Sequence, residues 1–191
     1  MIQRIRESSP MLKARVAGGF YLLAVLSAVF AEAFVRGRWL YAAGLIPVVS
    51  FAIVTLLLYR LLKPVNTGLA WLAAFCNLVS LIMEALEFHF LGANIALIFH
   101  GLYCLLIGFL VFRSDFLRRI LGILMAVGGL AWLTDLSIPL TNRLAPYNLI
   151  VGFIGEGTLM LWLLLAGLNG QRWNVRTGAE AEPASLPAHR Y

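Results

Sequence analysis

The run NIALIFHGLYCLLIGFLVF, residues 94–112, decides the fold. Arg113 closes it, and between Asn94 and Arg113 there is no charged side chain and one imidazole, His100. A bilayer core about 30 Å thick needs about 20 apolar residues of helix to cross it. The run has that length, so it predicts a transmembrane helix. Working outward, five more stretches meet the same test: residues 16–35, 39–58, 68–90, 116–138 and 146–168. Basic or turn-forming residues separate them: Arg36–Gly37–Arg38, then Tyr59–Arg60 and Lys63–Pro64–Val65–Asn66, then Ser114 as an expected N-cap, then Pro139. Pro47 falls inside the second stretch, where a missing N–H predicts a kink.

Composition agrees. Of the 191 residues 61% are hydrophobic and 13% charged, and mean hydropathy is +0.88. A soluble domain carries about 25% charged residues, so this chain has too few to coat a water-soluble globule. The expected fold class is therefore all-α, a polytopic membrane protein built as a bundle of six transmembrane helices. The first stretch follows a basic leader and contains Ala31–Glu32–Ala33, which imitates a signal-peptidase site. Its apolar length exceeds the roughly 7–15 residues of a signal h-region, which favours a retained helix. The domain reading is a basic leader over 1–15, a six-helix membrane domain over 16–169 and a disordered tail over 170–191. The tail contains Pro183 and Pro187 and has no apolar period.

Charge sets the expected orientation. With the N-terminus inside, twelve basic residues fall on inner segments: Arg4, Arg6, Lys13, Arg15, Arg60, Lys63, Arg113, Arg118, Arg119, Arg172, Arg176 and Arg190. Three fall outside: Arg36, Arg38 and Arg143. Basic excess on cytoplasmic loops orients spans, so a multi-pass protein of the cell membrane with both termini cytoplasmic is expected. Basic residues placed at breaks between spans form no single stripe, which argues against a nucleic-acid partner. The expected partner is the lipid bilayer. Cys76 and Cys104 lie inside apolar runs and read as free thiols.

Ionisable groups inside spans are costly and are functional candidates by default. Seven occur in or near them: Glu32, Glu84, Glu87, His89, His100, Asp135 and Glu156. In the expected topology all seven lie in the outer half or near the midplane. His100 falls roughly 10 Å below the outer surface and Glu156 roughly 12–16 Å below it, at 1.5 Å per residue. Asn77, Ser80, Glu84 and Glu87 follow one another at helical spacing and share a face. Together these residues predict an outward-facing acidic pocket with His100 and Glu156 at its floor, Glu84 and Glu87 on its wall, and Glu32 and Asp135 nearer its rim. Gly101, Gly108, Gly152 and Gly155 mark points of close helix approach. An acidic pocket suits a small cation, a proton or a polar ligand. His100, Glu156 and Glu84 could also hold a divalent metal ion, whose bound water would support hydrolysis. No HExxH, nucleophile triad, P-loop or dinucleotide fingerprint is present. Three function classes therefore stand open. One is a membrane protein binding a small ligand, another an intramembrane metal-dependent enzyme, and the third a structural or regulatory subunit whose polar groups lock helices.

Several stretches together resemble the domain-of-unknown-function family 4386 of bacterial integral membrane proteins. They are Ala14-Arg15-Val16-Ala17-Gly18 with Tyr21-Leu22-Leu23, and Tyr59-Arg60-Leu61-Leu62-Lys63-Pro64-Val65-Asn66. His100-Gly101-Leu102-Tyr103-Cys104-Leu105-Leu106-Ile107-Gly108 leading to Arg113-Ser114 follows, then Arg119-Ile120-Leu121-Gly122, Gly155-Glu156 and Leu161-Trp162-Leu163. The resemblance runs from about Ala14 to Asn169 and implies a multi-span helical protein; it implies no activity. The chain departs from the family pattern in its short turn at Leu91–Ala93, so nothing about Glu84, Glu87 or His89 is carried over.

Overall fold

The structure, a computed structural model, describes residues 10–35, 38–86, 89–90 and 93–178. Six helical segments in it are long and apolar enough to cross a membrane: α1 (Pro10–Phe34), α2 (Arg38–Leu62), α3 (Thr67–Ala85), α4 (Ile95–Arg113), α5 (Arg119–Trp132) taken with the 3-10 turn that continues it to Leu136, and α7 (Tyr147–Leu165). A two-residue hairpin, β1 (His89–Phe90) with β2 (Ala93–Asn94), joins α3 to α4. A 3-10 turn (Leu133–Leu136) and the short α6 (Ile138–Leu144) join α5 to α7, and α8 (Gly170–Thr177) follows the last span.

The six spans form a closed ring in chain order. Each packs on its sequence neighbour, and α7 completes the circle by packing on α1. Short connections force antiparallel neighbours, so Pro10 and Gly178, the two ends of the described chain, lie at one end of the bundle. The ring's outer surface is apolar on every span, as at Leu26, Leu56, Trp71, Phe109, Leu130 and Leu165, all exposed. Water would drive such a surface to aggregate, whereas lipid solvates it.

Lipid is as apolar as leucine, so helices in a bilayer associate by close packing and interhelical hydrogen bonds. The α4–α5 seam shows the first device. Gly108 faces Gly122 so closely that a Cβ on either would stand 2.5–2.7 Å from the other's carbonyl oxygen. Two turns along the same face, Gly101 meets Gly129 in the same way. On α7, Gly155 packs against the Leu124 carbonyl of α5.

Three boundaries differ from the sequence reading. Ser114 does not cap the fifth span; it ends α4, and its hydroxyl donates to the Val111 carbonyl at 2.7 Å. Phe116 and Leu117 are buried in the connection, which holds the chain out of helix until Arg119. Helix α1 begins at Pro10, inside the expected leader, because residues 10–15 continue the helical turn onto the bundle, with Ala14 fully buried. The expectation of disorder over 170–191 is corrected for 170–177, which are helical. Tertiary hydrogen bonds order this helix. Asn169 caps it, Trp173 Nε1 donates to the Leu61 carbonyl at 3.1 Å, and Arg176 pairs with Asp115 at 2.6 Å. Arg36 and the tail beyond residue 178 lie outside the described residues.

Candidate functional site

Among the described residues, one polar side chain from each of the six spans joins a single connected hydrogen-bond network inside the ring. Thr55 comes from α2, Asn77 from α3, His100 from α4, Glu156 from α7, Tyr21 from α1 and Trp132 from α5. The Thr55 hydroxyl donates to the Phe51 carbonyl at 2.8 Å, so its oxygen is left to accept from Asn77 Nδ2 at 2.5 Å. That turns Asn77 Oδ1 toward His100 Nδ1, 3.2 Å away, and the imidazole must carry its proton there. His100 Nε2 then faces Glu156 Oε1 at 2.9 Å. Trp132 Nε1 donates to the same oxygen at 2.7 Å, and the Tyr21 hydroxyl donates to Oε2.

Glu156 is thus ringed by donors, and one proton lies between its Oε1 and His100 Nε2. Donors on both oxygens favour the carboxylate, paired with an imidazolium. The pair is neutral as a unit, which is how two charges persist in an interior that penalises either alone. Glu156 is 6% exposed, and aromatic rings enclose its partner. Phe51, Tyr103 and Trp132 pack on the His100 ring with centroids 5.6, 5.7 and 5.9 Å away. Gly152 makes the indole's position possible: a Cβ there would stand 2.5 Å from Trp132 Cε2. Tyr103, fully buried beside the network, adds a hydroxyl with no partner among the described residues.

The network opens on a cavity of about 510 Å³. Its wall takes His100, Glu156, Trp132, Ser80 and Glu84 as polar groups, and residues such as Ala24, Ala28, Pro47, Phe51, Phe153 and Met160 as apolar ones. These positions belong to the C-terminal halves of α1, α3 and α5 and to the N-terminal halves of α2 and α4, with the middle of α7. They run from the middle of the bundle toward the end opposite Pro10 and Gly178, the end the sequence reading assigned to its polar residues.

The predicted site residues separate into groups. His100 and Glu156, expected at the floor, meet there directly. Asn77 and Ser80 face inward as their spacing predicts, Ser80 Oγ donating to the Ala96 carbonyl at 2.8 Å. Glu84 is exposed on the cavity wall and takes no part in the network. Among the described residues it is Cys104, not Glu84, that joins His100 and Glu156 in a cluster of potential metal ligands, with ligand atoms all within 4.8 Å. Cys104 shares a helix face with His100 at a spacing of four. Asp135 does not line the cavity; it sits in the 3-10 turn with the Thr141 hydroxyl 3.4 Å from its carboxylate, a helix-end role. Glu87 lies outside the described residues, as does the side chain of Glu32. Tyr21, Thr55 and Trp132 were not anticipated. Tyr and Trp are usual at membrane interfaces, and only their mid-span depth could have marked them.

The family model for the domain of unknown function 4386 matches residues 80–167, which include His100, Cys104, Trp132 and Glu156. A protein of Archaeoglobus fulgidus described as uncharacterized is 30% identical over 125 residues, covering 60% of this chain and 75% of that relative. No solved structure matches the chain.

Proposed function

We propose that this chain, which belongs to the domain-of-unknown-function family 4386, binds a small organic cation in its cavity, with the charged group toward Glu84 and the neutral His100–Glu156 pair at the floor. The composition of the cavity wall carries the reading. Among the described residues two carboxylates and one imidazole line it, no lysine or arginine does, and the remaining surface is mostly apolar. A neutral His–Glu pair at the floor leaves Glu84 as the uncompensated charge, which favours a positive ligand. The low dielectric of the interior strengthens that attraction. The apolar walls suit a compact hydrocarbon body. The basic-residue count supports a cavity facing away from the cytoplasm, with both termini inside.

Adamantan-1-amine is a suitable probe, being a compact hydrocarbon with one ammonium group. It is expected to raise the melting temperature of the detergent-solubilised chain, and adamantan-1-ol is expected to do so much less. Gly157 provides the control, because it lines the cavity and a Cβ there meets no atom within 4 Å. Gly157→Leu should melt as wild type does and lose the response to the amine. No shift from the amine in wild type, an equal shift from the alcohol, or a full response in Gly157→Leu would each overturn the reading.

The His100–Cys104–Glu156 cluster supports a second reading, a divalent metal site. The Asn77 carbonyl holds the proton on Nδ1, which leaves Nε2 as the nitrogen available to a metal. A thiolate and a carboxylate would neutralise the ion, and this donor set suits zinc or cobalt. A metal-bound water would then supply hydrolytic chemistry. Cobalt(II) added to the purified chain is expected to give a thiolate-to-metal charge-transfer band that Cys104→Ser removes. Absence of the band in wild type rules this reading out.

A further inference from the structure

At the end of the bundle that carries Pro10 and Gly178 there is a second cavity, of about 370 Å³, between the α4–α5 connection, the end of α7 and the start of α8. Arg118, Arg172, Trp162 and Asp115 line it. Both arginines are held. The Arg118 guanidinium lies 4.6 Å from the centroid of the Trp162 ring, and Arg172 Nη1 donates to the Asp115 carbonyl at 3.1 Å. Asp115, the one acid at this end among the described residues, gives its carboxylate to Arg176 at 2.6 Å. Arg118, Arg172 and the neighbouring Arg119 have no carboxylate partner among the described residues. Fixed cations beside an open cavity call for an anion.

Depth identifies its source. Arg118 immediately precedes the fifth span, and Trp162 stands in the last turn of the sixth. That is the headgroup level, where tryptophan rings collect. Exposed Leu161 and Ile154 of α7, with Ile120 and Ile123 of α5, continue from these residues into the bilayer. We propose that this cavity holds the phosphate of an anionic phospholipid between Arg118 and Arg172, with the acyl chains on that apolar surface. A guanidinium presents paired N–H donors to two phosphate oxygens. The stacked indole fixes Arg118 in advance, which lowers the cost of ordering it on binding. A soluble phosphate would use the arginines but not the apolar surface beside them.

The test is the melting temperature of the full chain in uncharged detergent, titrated separately with phosphatidylglycerol, phosphatidylcholine and inorganic phosphate. Phosphatidylglycerol is expected to raise it, and the other two are not. Arg118→Gln and Arg172→Gln should each weaken the apparent affinity for phosphatidylglycerol about fivefold. Arg113→Gln, at the same end but outside the cavity, should respond as wild type does. Should Arg172→Gln melt early through loss of its bond to Asp115, Arg118→Gln carries the test, since its contact is only with a ring. A shift from inorganic phosphate equal to that from phosphatidylglycerol would make the ligand a free anion and overturn the lipid assignment. An equal shift from phosphatidylcholine, or an undiminished response in Arg118→Gln, would overturn the site.

Discussion

Glu156→Leu is expected to destabilise the bundle by about 3–5 kcal/mol, the cost of removing one partner from a buried, hydrogen-bonded ion pair. Leucine fills much the same volume, so the loss is not a cavity effect. It leaves the Tyr21 hydroxyl, the Trp132 indole N–H and His100 Nε2 without their shared acceptor. Each unmet donor costs about 1–3 kcal/mol where water cannot replace the partner. Unfolding in mixed micelles measures the loss. The double variant Glu156→Leu with His100→Phe should lose less than the two single losses combined, because residues in one network couple by about 0.5–3 kcal/mol. A single-variant loss under about 1 kcal/mol would mean that the six-span network does not hold the ring together.

Gly108→Ala is expected to cost about 1–3 kcal/mol, the range for overpacking a filled interface. The added methyl would stand 2.7 Å from the Gly122 carbonyl oxygen and 2.8 Å from the Ala126 nitrogen, both of them backbone that no side-chain rotation can move. The α4 and α5 helices would have to separate. Since α4 carries His100 and α5 carries Trp132, two of the three donors to Glu156 would move with them. The amine response should therefore fall along with stability. Gly19→Ala is the matched control: a Cβ there meets nothing within 4 Å, and alanine is the better helix former by about 1 kcal/mol. Equal melting of Gly108→Ala and Gly19→Ala would show that the α4–α5 contact is looser than described.

Much of this was legible before any coordinates. Span number follows from apolar length alone, because a bilayer imposes one thickness on every crossing. Once six spans alternate, the heights of His100 and Glu156 follow by counting residues, and the structure has these two groups 2.9 Å apart. The inward face of α3 was readable for the same reason, since Asn77 and Ser80 repeat at helical spacing. Asp135 shows the limit. Its depth matched a rim position, but depth fixes height along the bundle axis and not the angle around it. The 3-10 turn carries Asp135 away from the cavity toward Thr141.

Angle around the ring decides who touches whom, and it depends on packing between segments far apart in the chain. Tyr21 reaches Glu156 across 135 residues. Cys104 displaces Glu84 as the third potential ligand because it lies one turn from His100 on the same helix and is buried, while Glu84 is exposed. Trp132 reaches the carboxylate because Gly152 leaves space for an indole. Helix α8, which has no apolar period to announce it, is ordered by the Leu61 carbonyl and the Asp115 carboxylate. The sequence by itself determined the solvent this chain lives in, its six crossings and the height of each polar group, because hydropathy and helical rise are local quantities. Only the tertiary structure decided that polar groups from all six crossings join one network, with Tyr21, His100 and Trp132 meeting at the Glu156 carboxylate, because that meeting depends on helix rotation set by contacts between residues remote in the chain.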